Sequence, residues 1–229
     1  MNAPTTDLAR VLQAFFCQRL IQQRHASDRT VTSYRDTFRL LLCFAEQQLG
    51  KPVNALCLND IDVTLVLGFL DYLEHQRHNC IRTRNTRLAA IRAFLHYAAL
   101  QEPAALPQIQ RVMAIPMKRF DRAVVGFLSR EEIEVILSAP DTATWNGQRD
   151  AILLTVLYNT GARVSEVITI KCSDVVEPCC SAVLLHGKGR KERVVPLWKR
   201  TSALLRRWME QSNATAQQPL FPNRFGQPM

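Results

Sequence analysis

The sequence predicts a mainly α-helical protein with one small β-hairpin, organised as an N-terminal helical bundle followed by a mixed α/β domain. Three observations support this prediction. Four segments in roughly the first hundred residues carry apolar side chains at helical spacing, a stretch with three prolines at 101–127 then interrupts the pattern, and a Gly-Lys-Gly-Arg-Lys tip later separates two apolar runs. A chain of 229 residues, 47% of them hydrophobic, can form one large domain or two small ones.

Local signals bound the four helices of the N-terminal bundle. Ser27 or Asp28 is the expected N-cap of the second helix, Gly50 its stop, and Asn59 or Asp60 the N-cap of the third. The short connections are typical of a bundle. The fourth helix is expected to face the core with Leu88, Ile91, Phe94 and Leu95.

The prolines and the lack of sustained periodicity indicate a linker at 105–127, between domains at 1–104 and 128–229. In the second domain, Ser129 and Glu132 form the pattern of a capping box at a helix start. Tyr158 lies in an apolar helix and is expected in the core. The runs on either side of the glycine- and lysine-rich tip predict a hairpin.

The charge distribution suggests a polyanionic partner, most often nucleic acid, although an ordinary basic surface is the alternative. The formal net charge is +9 and the sequence pI is about 9.5. Between His75 and Leu100 there are five arginines and no acid, and a second basic cluster lies on the hairpin beside Glu192. A solvated face is the usual fate of such runs. The two clusters are Arg77, Arg82, Arg84, Arg87 and Arg92, and Lys188, Arg190, Lys191 and Arg193.

Composition also argues against several classes of protein. No run of 18 apolar residues is free of charge and proline, and the N-terminus lacks the pattern of a secretory signal, so a cytoplasmic protein without a membrane span is expected. The seven cysteines are scattered, and Cys179 and Cys180 are adjacent, which is too close for a metal-binding pair. Buried free thiols are therefore expected rather than a metal site or disulfides.

Arg163 follows a glycine turn in a segment rich in valine and isoleucine, where a guanidinium would need a paired anion. The segment TGARVSEVITIKCSDV, followed by GKGRKERVVPL, resembles the tyrosine recombinase (phage integrase) family, in particular its Xer-like and transposon-borne members. The resemblance covers nearly the whole chain. It implies a SAM-like core-binding, DNA-binding domain at 1–104 and a mixed α/β catalytic domain at 128–229.

The resemblance implies DNA breakage and rejoining through a 3′-phosphotyrosyl intermediate, with no metal or nucleotide cofactor. Arg163 would bind the scissile phosphate, Glu166 would orient its neighbours, and Lys188 would be the general acid for the leaving oxygen. From the residues alone, an ordinary helical pair between Arg163 and Glu166 is the alternative. Lys191 belongs to a solvated hairpin tip or touches phosphate.

The sequence departs from the family pattern after the hairpin. All five histidines lie at or before His186, no His-x-x-Arg motif follows the hairpin, and the last tyrosine is Tyr158, upstream of Arg163. The expectation is a C-terminally truncated, catalytically incomplete recombinase that still binds double-stranded DNA. Whether the chain is itself an enzyme is left open.

Three readings of the sequence therefore compete. The first is a chain from a system for site-specific DNA recombination, integration or transposition, which would associate with copies of itself, as in the family's tetramers, or with a full-length recombinase. The second is a non-catalytic DNA-binding module, acting as a regulator or remaining as a remnant of a mobile element. The third, a helical RNA-binding or scaffold protein, requires the coincidence of Arg163 and Lys188 to be chance.

Overall fold

A computed structural model describes residues 7–121, 126–176, 179–187, 189, 191–212 and 214–229. The chain divides into two compact units, 1–123 and 124–229, and each is described separately. Both are mainly helical, and the second contains a two-stranded antiparallel sheet, as predicted. Within the described ranges, no helix combines the length and the apolar character needed to cross a membrane.

The first unit is a helical bundle whose ends follow the local signals in the sequence. Asp7 accepts hydrogen bonds from the backbone N–H groups of Ala9 and Arg10 at the start of α1. Ser27 caps α2, and Gly50 ends it in the left-handed conformation at φ 62°, both as predicted. The elements are α1 (Leu8–Ala14), a π-helical segment (Phe15–Gln23), α2 (Asp28–Leu49), α3 (Val63–His75), α4 (Ile81–Gln101) and α5 (Leu106–Met113).

Aromatic rings from three helical elements meet in the core of this unit. The ring of Phe15 lies 5.6 Å from that of Phe94, and Phe38 lies 5.2 Å from Phe94, both edge to face. The four predicted core residues of α4 are all buried, which confirms its orientation: Leu88, Ile91, Phe94 and Leu95.

Two features of the first unit differ from the sequence-based expectation. The predicted caps Asn59 and Asp60 belong to a short 3₁₀ turn whose Leu58 is buried, so Asp62 caps α3 instead. The helix α5 lies within the stretch predicted to be a linker. Its eight residues are too few for a clear periodic pattern, yet Ile109 and Val112 are buried in the first unit.

The second unit places a hairpin among four helices, and Ser129 and Glu132 form the predicted capping box. The strands pair in antiparallel register, with Ala182 opposite Pro196 and His186 opposite Glu192. The hairpin is therefore confirmed. The elements are α6 (Arg130–Ser138), α7 (Trp145–Thr160), α8 (Val164–Val167), β1 (Ala182–His186), β2 (Glu192–Pro196) and α9 (Lys199–Ser212).

Two predictions about buried side chains are wrong. Tyr158 is not in the core but 44% exposed, because α7 buries its opposite side and leaves the phenol ring edge-to-face with the exposed Trp198 at 5.5 Å. The cysteines were expected to be buried, but only two of the seven are fully buried. The exposed ones are Cys17, Cys43, Cys80 and Cys179.

We expect the change Gly147→Ala to destabilise the second unit. A Cβ atom at this position in α7 would lie 1.9 Å from the backbone oxygen of Asp141, which only a backbone shift could relieve. Overpacking of this kind lowers the free energy of unfolding by about 1–3 kcal/mol. Urea unfolding measured by tryptophan fluorescence tests this.

Gly126→Ala is the matched control for that measurement. The added methyl group would meet no described atom within 4 Å, and its effect should stay within about 0.5 kcal/mol. Equal urea midpoints for the two variants would contradict the packing described at Gly147.

Candidate active site and nucleic-acid interface

The candidate site begins where α7 ends. Gly161 closes this helix in the left-handed conformation at φ 59°, and the chain then turns so that Arg163 becomes the N-cap of the short helix α8. Glu166 follows one turn later and points back at that cap. The turn and the short helix together bring an arginine and a carboxylate to the same point.

Glu166 is a buried carboxylate with three donors. Its side chain is 4% exposed. Its Oε2 accepts from the backbone N–H of Arg163 at 3.0 Å and from Arg193 Nη2 at 2.7 Å, and its Oε1 accepts from Arg163 Nη1 at 2.9 Å. These interactions, that with Arg193 foremost and then the backbone N–H, lower the pKa of Glu166 to about 2. The group is therefore ionised at any physiological pH.

Arg193 on β2 ties the hairpin to this carboxylate. The sequence grouped Arg193 with DNA-contacting residues, but its guanidinium is bonded to Glu166. The hairpin backbone also comes close, because a Cβ on Gly187 would lie 3.3 Å from Glu166 Oε1. The carboxylate thus fixes the position of the hairpin base relative to Arg163.

Arg163 is paired and exposed at the same time. The helical pair with Glu166 is present, but it uses one Nη, and the arginine side chain remains 72% exposed. The buried charge in this segment is therefore the carboxylate and not the guanidinium. An oriented, accessible guanidinium of this kind can bind two oxygens of a phosphate.

His186 connects the end of β1 to two acids. Its Nε2 lies 3.3 Å from Asp174 Oδ1, and its Nδ1 lies 3.1 Å from Glu192 Oε1. The interaction with Asp174 is the main cause that raises the pKa of His186 above its ordinary value of 6.5. Lys188 and Arg190 lie outside the described residues, and Lys191 is exposed.

The basic cluster of the first unit is divided by the fold. Arg84 is 4% exposed, with Nε 3.2 Å from Glu74 Oε1 in an ion pair, and Arg92 donates to the backbone oxygens of Met113 and Ile115. The alignment of Arg84 Nε and Glu74 Oε1 is not that of a hydrogen bond. These two guanidinium groups therefore make their contacts within the first unit. The burial of Arg84 could have been predicted, because Arg84 precedes Leu88 by four residues and so lies on the same face of α4.

Arg87 lies in a groove of about 490 Å³ between the starts of α2 and α4. Burial and the neighbouring charge of Arg77 lower its pKa, and its Nε has no hydrogen-bond partner in the described part of the chain. Arg77 and Arg82 are exposed. The groove is also lined by residues that were not predicted as site residues, which include Asp28, Arg29, Thr32, Ser33, Asp36, Thr83 and Thr86.

The comparisons with known proteins agree with this architecture. A family model described as the phage integrase SAM-like domain matches residues 12–106, and one for the phage integrase family matches residues 126–229. The integrase/recombinase y4rC of Sinorhizobium fredii is 47% identical over 221 residues, which are 96% of this chain and 67% of that protein. The tyrosine recombinase XerD of Listeria monocytogenes (serotype 4b) is 28% identical, over 92% of this chain and 68% of its own length.

A solved structure shows the same fold. The crystal structure of a lambda integrase dimer bound to a COC′ core site matches with a TM-score of 0.68 and 14% identity, over 98% of this chain and 76% of that one. The chain therefore belongs to the tyrosine recombinase (phage integrase) family, whose reaction is site-specific DNA recombination.

We expect the stability of the second unit to depend on the ionisation of Glu166. The folded pKa of about 2 lies below the ordinary 4.5, so the stabilisation is fully present above pH 4.5 and is lost as the pH falls toward 2. Glu166→Gln should remove this part of the acid dependence. Urea midpoints at pH 7, 4.5 and 3 measure it, with the exposed Glu210→Gln as the control. Parallel curves for wild type and Glu166→Gln would refute it.

We expect His186 to titrate above 6.5 because of Asp174. The stabilisation from its protonated form is present below pH 6.5 and is lost as the pH rises through the raised pKa. Asp174→Asn should lower the pKa of His186 more than Glu192→Gln does, as measured by NMR of the imidazole. An unchanged pKa in Asp174→Asn would show that this contact is absent in solution.

Proposed function

We propose that the first unit binds double-stranded DNA, that Arg163 of the second unit contacts a phosphate of that DNA, and that the 229-residue polypeptide does not by itself complete strand cleavage. The observation that carries this proposal is the arrangement at Glu166. A buried carboxylate orients Arg163 from its backbone and its side chain, yet leaves the guanidinium exposed to solvent. Such preorganisation supports electrostatic stabilisation of a phosphate transition state.

The proposed roles within the site follow the family resemblance. Arg163 binds the scissile phosphate, Lys188 protonates the leaving oxygen, and Glu166 orients Arg163. Arg193 also holds Glu166, through Nη2 at 2.7 Å, and because its side chain is still 41% exposed it stays a candidate for a phosphate contact from the hairpin. Lys191 and Arg190 remain candidates for phosphate contacts from the hairpin.

The groove between α2 and α4 supports the proposed DNA contact of the first unit. Burial and a second arginine make the charged form of Arg87 less stable, and a bound phosphate would stabilise that charged form. Hydroxyl groups and two aspartates also line the groove. A mixture of donors and acceptors suits contacts to base edges as well as phosphates. We assign Arg77, Arg82 and Arg87 to this surface, and exclude Arg84 and Arg92, whose guanidinium groups bond within the bundle.

Cleavage requires groups that these 229 residues do not contain. The family's tyrosine nucleophile and its His-x-x-Arg motif would follow the hairpin, and the sequence has neither after residue 186. The proposed division is a core-binding domain at 1–104 and a part of the catalytic domain at 128–229.

Neutralising the first-unit groove should weaken DNA binding and its salt dependence. Arg77→Ala with Arg87→Ala removes up to two phosphate contacts, which lowers the slope of log K against log salt by up to about 2. Arg163→Ala should leave the affinity within a few-fold. Fluorescence anisotropy on a duplex at several salt concentrations measures both, and the exposed Arg111→Ala on α5 is the control. Equal losses from Arg163→Ala would contradict this division of roles.

A nicked suicide duplex tests the catalytic part of the proposal. Incubation with the 229-residue chain should give no covalent protein–DNA adduct on a denaturing gel, while duplex binding is retained. An adduct would overturn the proposal of incompleteness. Phe substitutions at the four tyrosines would then identify the nucleophile: Tyr34, Tyr72, Tyr97 and Tyr158.

A further inference from the structure

The second unit contains a groove that the proposed chemistry does not use. Two cavities of about 640 and 420 Å³ share Leu137, Thr155 and Arg200 in their linings. Because the linings overlap, the two cavities form one continuous groove, with α6 on one side and α7 and α9 on the other. The site around Glu166 contributes no residue to either lining.

The groove combines apolar with polar and charged side chains, and large apolar residues along it and on α6 are exposed. The helix α6 buries none of its residues, and its Val135 is 67% exposed. Leucine, isoleucine and tryptophan side chains line the groove, and Tyr158 and Trp198 are half exposed along it. Tyr158 and Trp198 are in contact, with ring centroids 5.5 Å apart, and contiguous exposed apolar side chains are typical of interaction sites. The apolar residues that line the groove include Leu137, Ala151, Ile152, Leu204 and Trp208.

The charge along the groove is positive, and it is concentrated on α9. Arg130 is offset by Glu134, whose Oε1 lies 3.1 Å from its Nε. Arg200 and Arg207 make no ion pair with any residue in the described ranges, although both line the groove. A molecule in this groove would therefore bind more tightly if its carboxylates faced α9 and its apolar side chains faced the apolar residues of the lining.

The charges around the groove favour a peptide as its occupant over a DNA duplex or a second copy of this chain. Glu134 lines the groove on α6 and would repel phosphates at that wall, as it would any carboxylate that faced it. Two copies that met groove to groove would oppose their arginines, in a chain of net charge +9. A short peptide avoids both costs, because it can confine its carboxylates to one face.

We propose that the α6–α9 groove binds an acidic amphipathic helix of another protein. Its apolar residues, spaced at three and four positions, would contact Leu137, Leu204 and the exposed Trp198, and its carboxylates would pair with Arg200 and Arg207. Helix-in-groove recognition uses this division between anchors and rim. The inference is independent of DNA binding and of strand cleavage.

Tryptophan fluorescence can report on occupancy of the groove, because two of the three tryptophans line it and the third contacts one of them. Trp198 and Trp208 line it, and the ring of Trp145 lies 5.6 Å from that of Trp208. A helical peptide of about 18 residues, with leucine at helical spacing and glutamate elsewhere, is the probe. We expect a saturable blue shift of tryptophan emission as the peptide is added. A twin peptide with lysine in place of glutamate should bind at least about tenfold more weakly.

Charge reversal on α9 supplies the matched test. Arg200→Glu with Arg207→Glu should weaken the acidic peptide about tenfold or more and strengthen its lysine twin. Lys199→Glu with Arg224→Glu changes the net charge equally, at exposed residues that do not line the groove, and should leave the dissociation constant within about twofold. Urea unfolding of both double variants checks that the second unit remains folded.

Several outcomes would overturn the inference. One is no change in tryptophan emission with a folded protein, and another is equal binding of the two peptides. Equal losses in the two double variants would mean attraction by net charge alone. A concentration-dependent emission shift without peptide, matched by dimers in sedimentation, would identify a second copy as the occupant. Quenching by duplex DNA that Arg200→Glu with Arg207→Glu abolishes would identify nucleic acid.

Discussion

The buried carboxylate of Glu166 is the interaction on which the candidate site depends. A carboxylate this deeply buried is unfavourable unless charged and polar donors surround it. Here two guanidinium groups and one backbone N–H do so, and they come from the turn after α7 and from β2. The same contacts that stabilise the ion therefore fix the relative position of Arg163 and the hairpin. A substitution that removed these contacts would therefore change both the stability of this unit and the geometry of the site.

The arginines of the chain have different structural roles, although they are residues of one type. Arg84 and Arg92 hold parts of the first unit together, Arg193 pairs with a buried acid, Arg163 pairs with the same acid and stays exposed, and Arg87 lines the groove between α2 and α4. The difference lies in what surrounds each side chain. A count of positive charge cannot separate these roles, since all of them contribute equally to the net value.

Local features could be predicted from the sequence, and long-range ones could not. The capping box at Ser129, the stop at Gly50 and the hairpin are encoded within a few residues, and the structure contains all three. The bond between Arg193 and Glu166 joins residues 27 positions apart, and the exposure of Tyr158 depends on which side of α7 the other elements cover. The arginine and glutamate motif did identify Arg163 and Glu166, but it did not show which of the two is buried.

The π-helical segment at Phe15–Gln23 has a consequence for the packing of the bundle. A π-helix closes its hydrogen bonds between residues five apart and holds more residues in each turn than an α-helix. Here the wider turn allows two consecutive side chains, Phe15 and Phe16, to contact the ring of Phe38, with centroids 6.4 and 6.0 Å away. One short segment therefore joins α1 to the rings of both α2 and α4, since Phe15 also contacts Phe94.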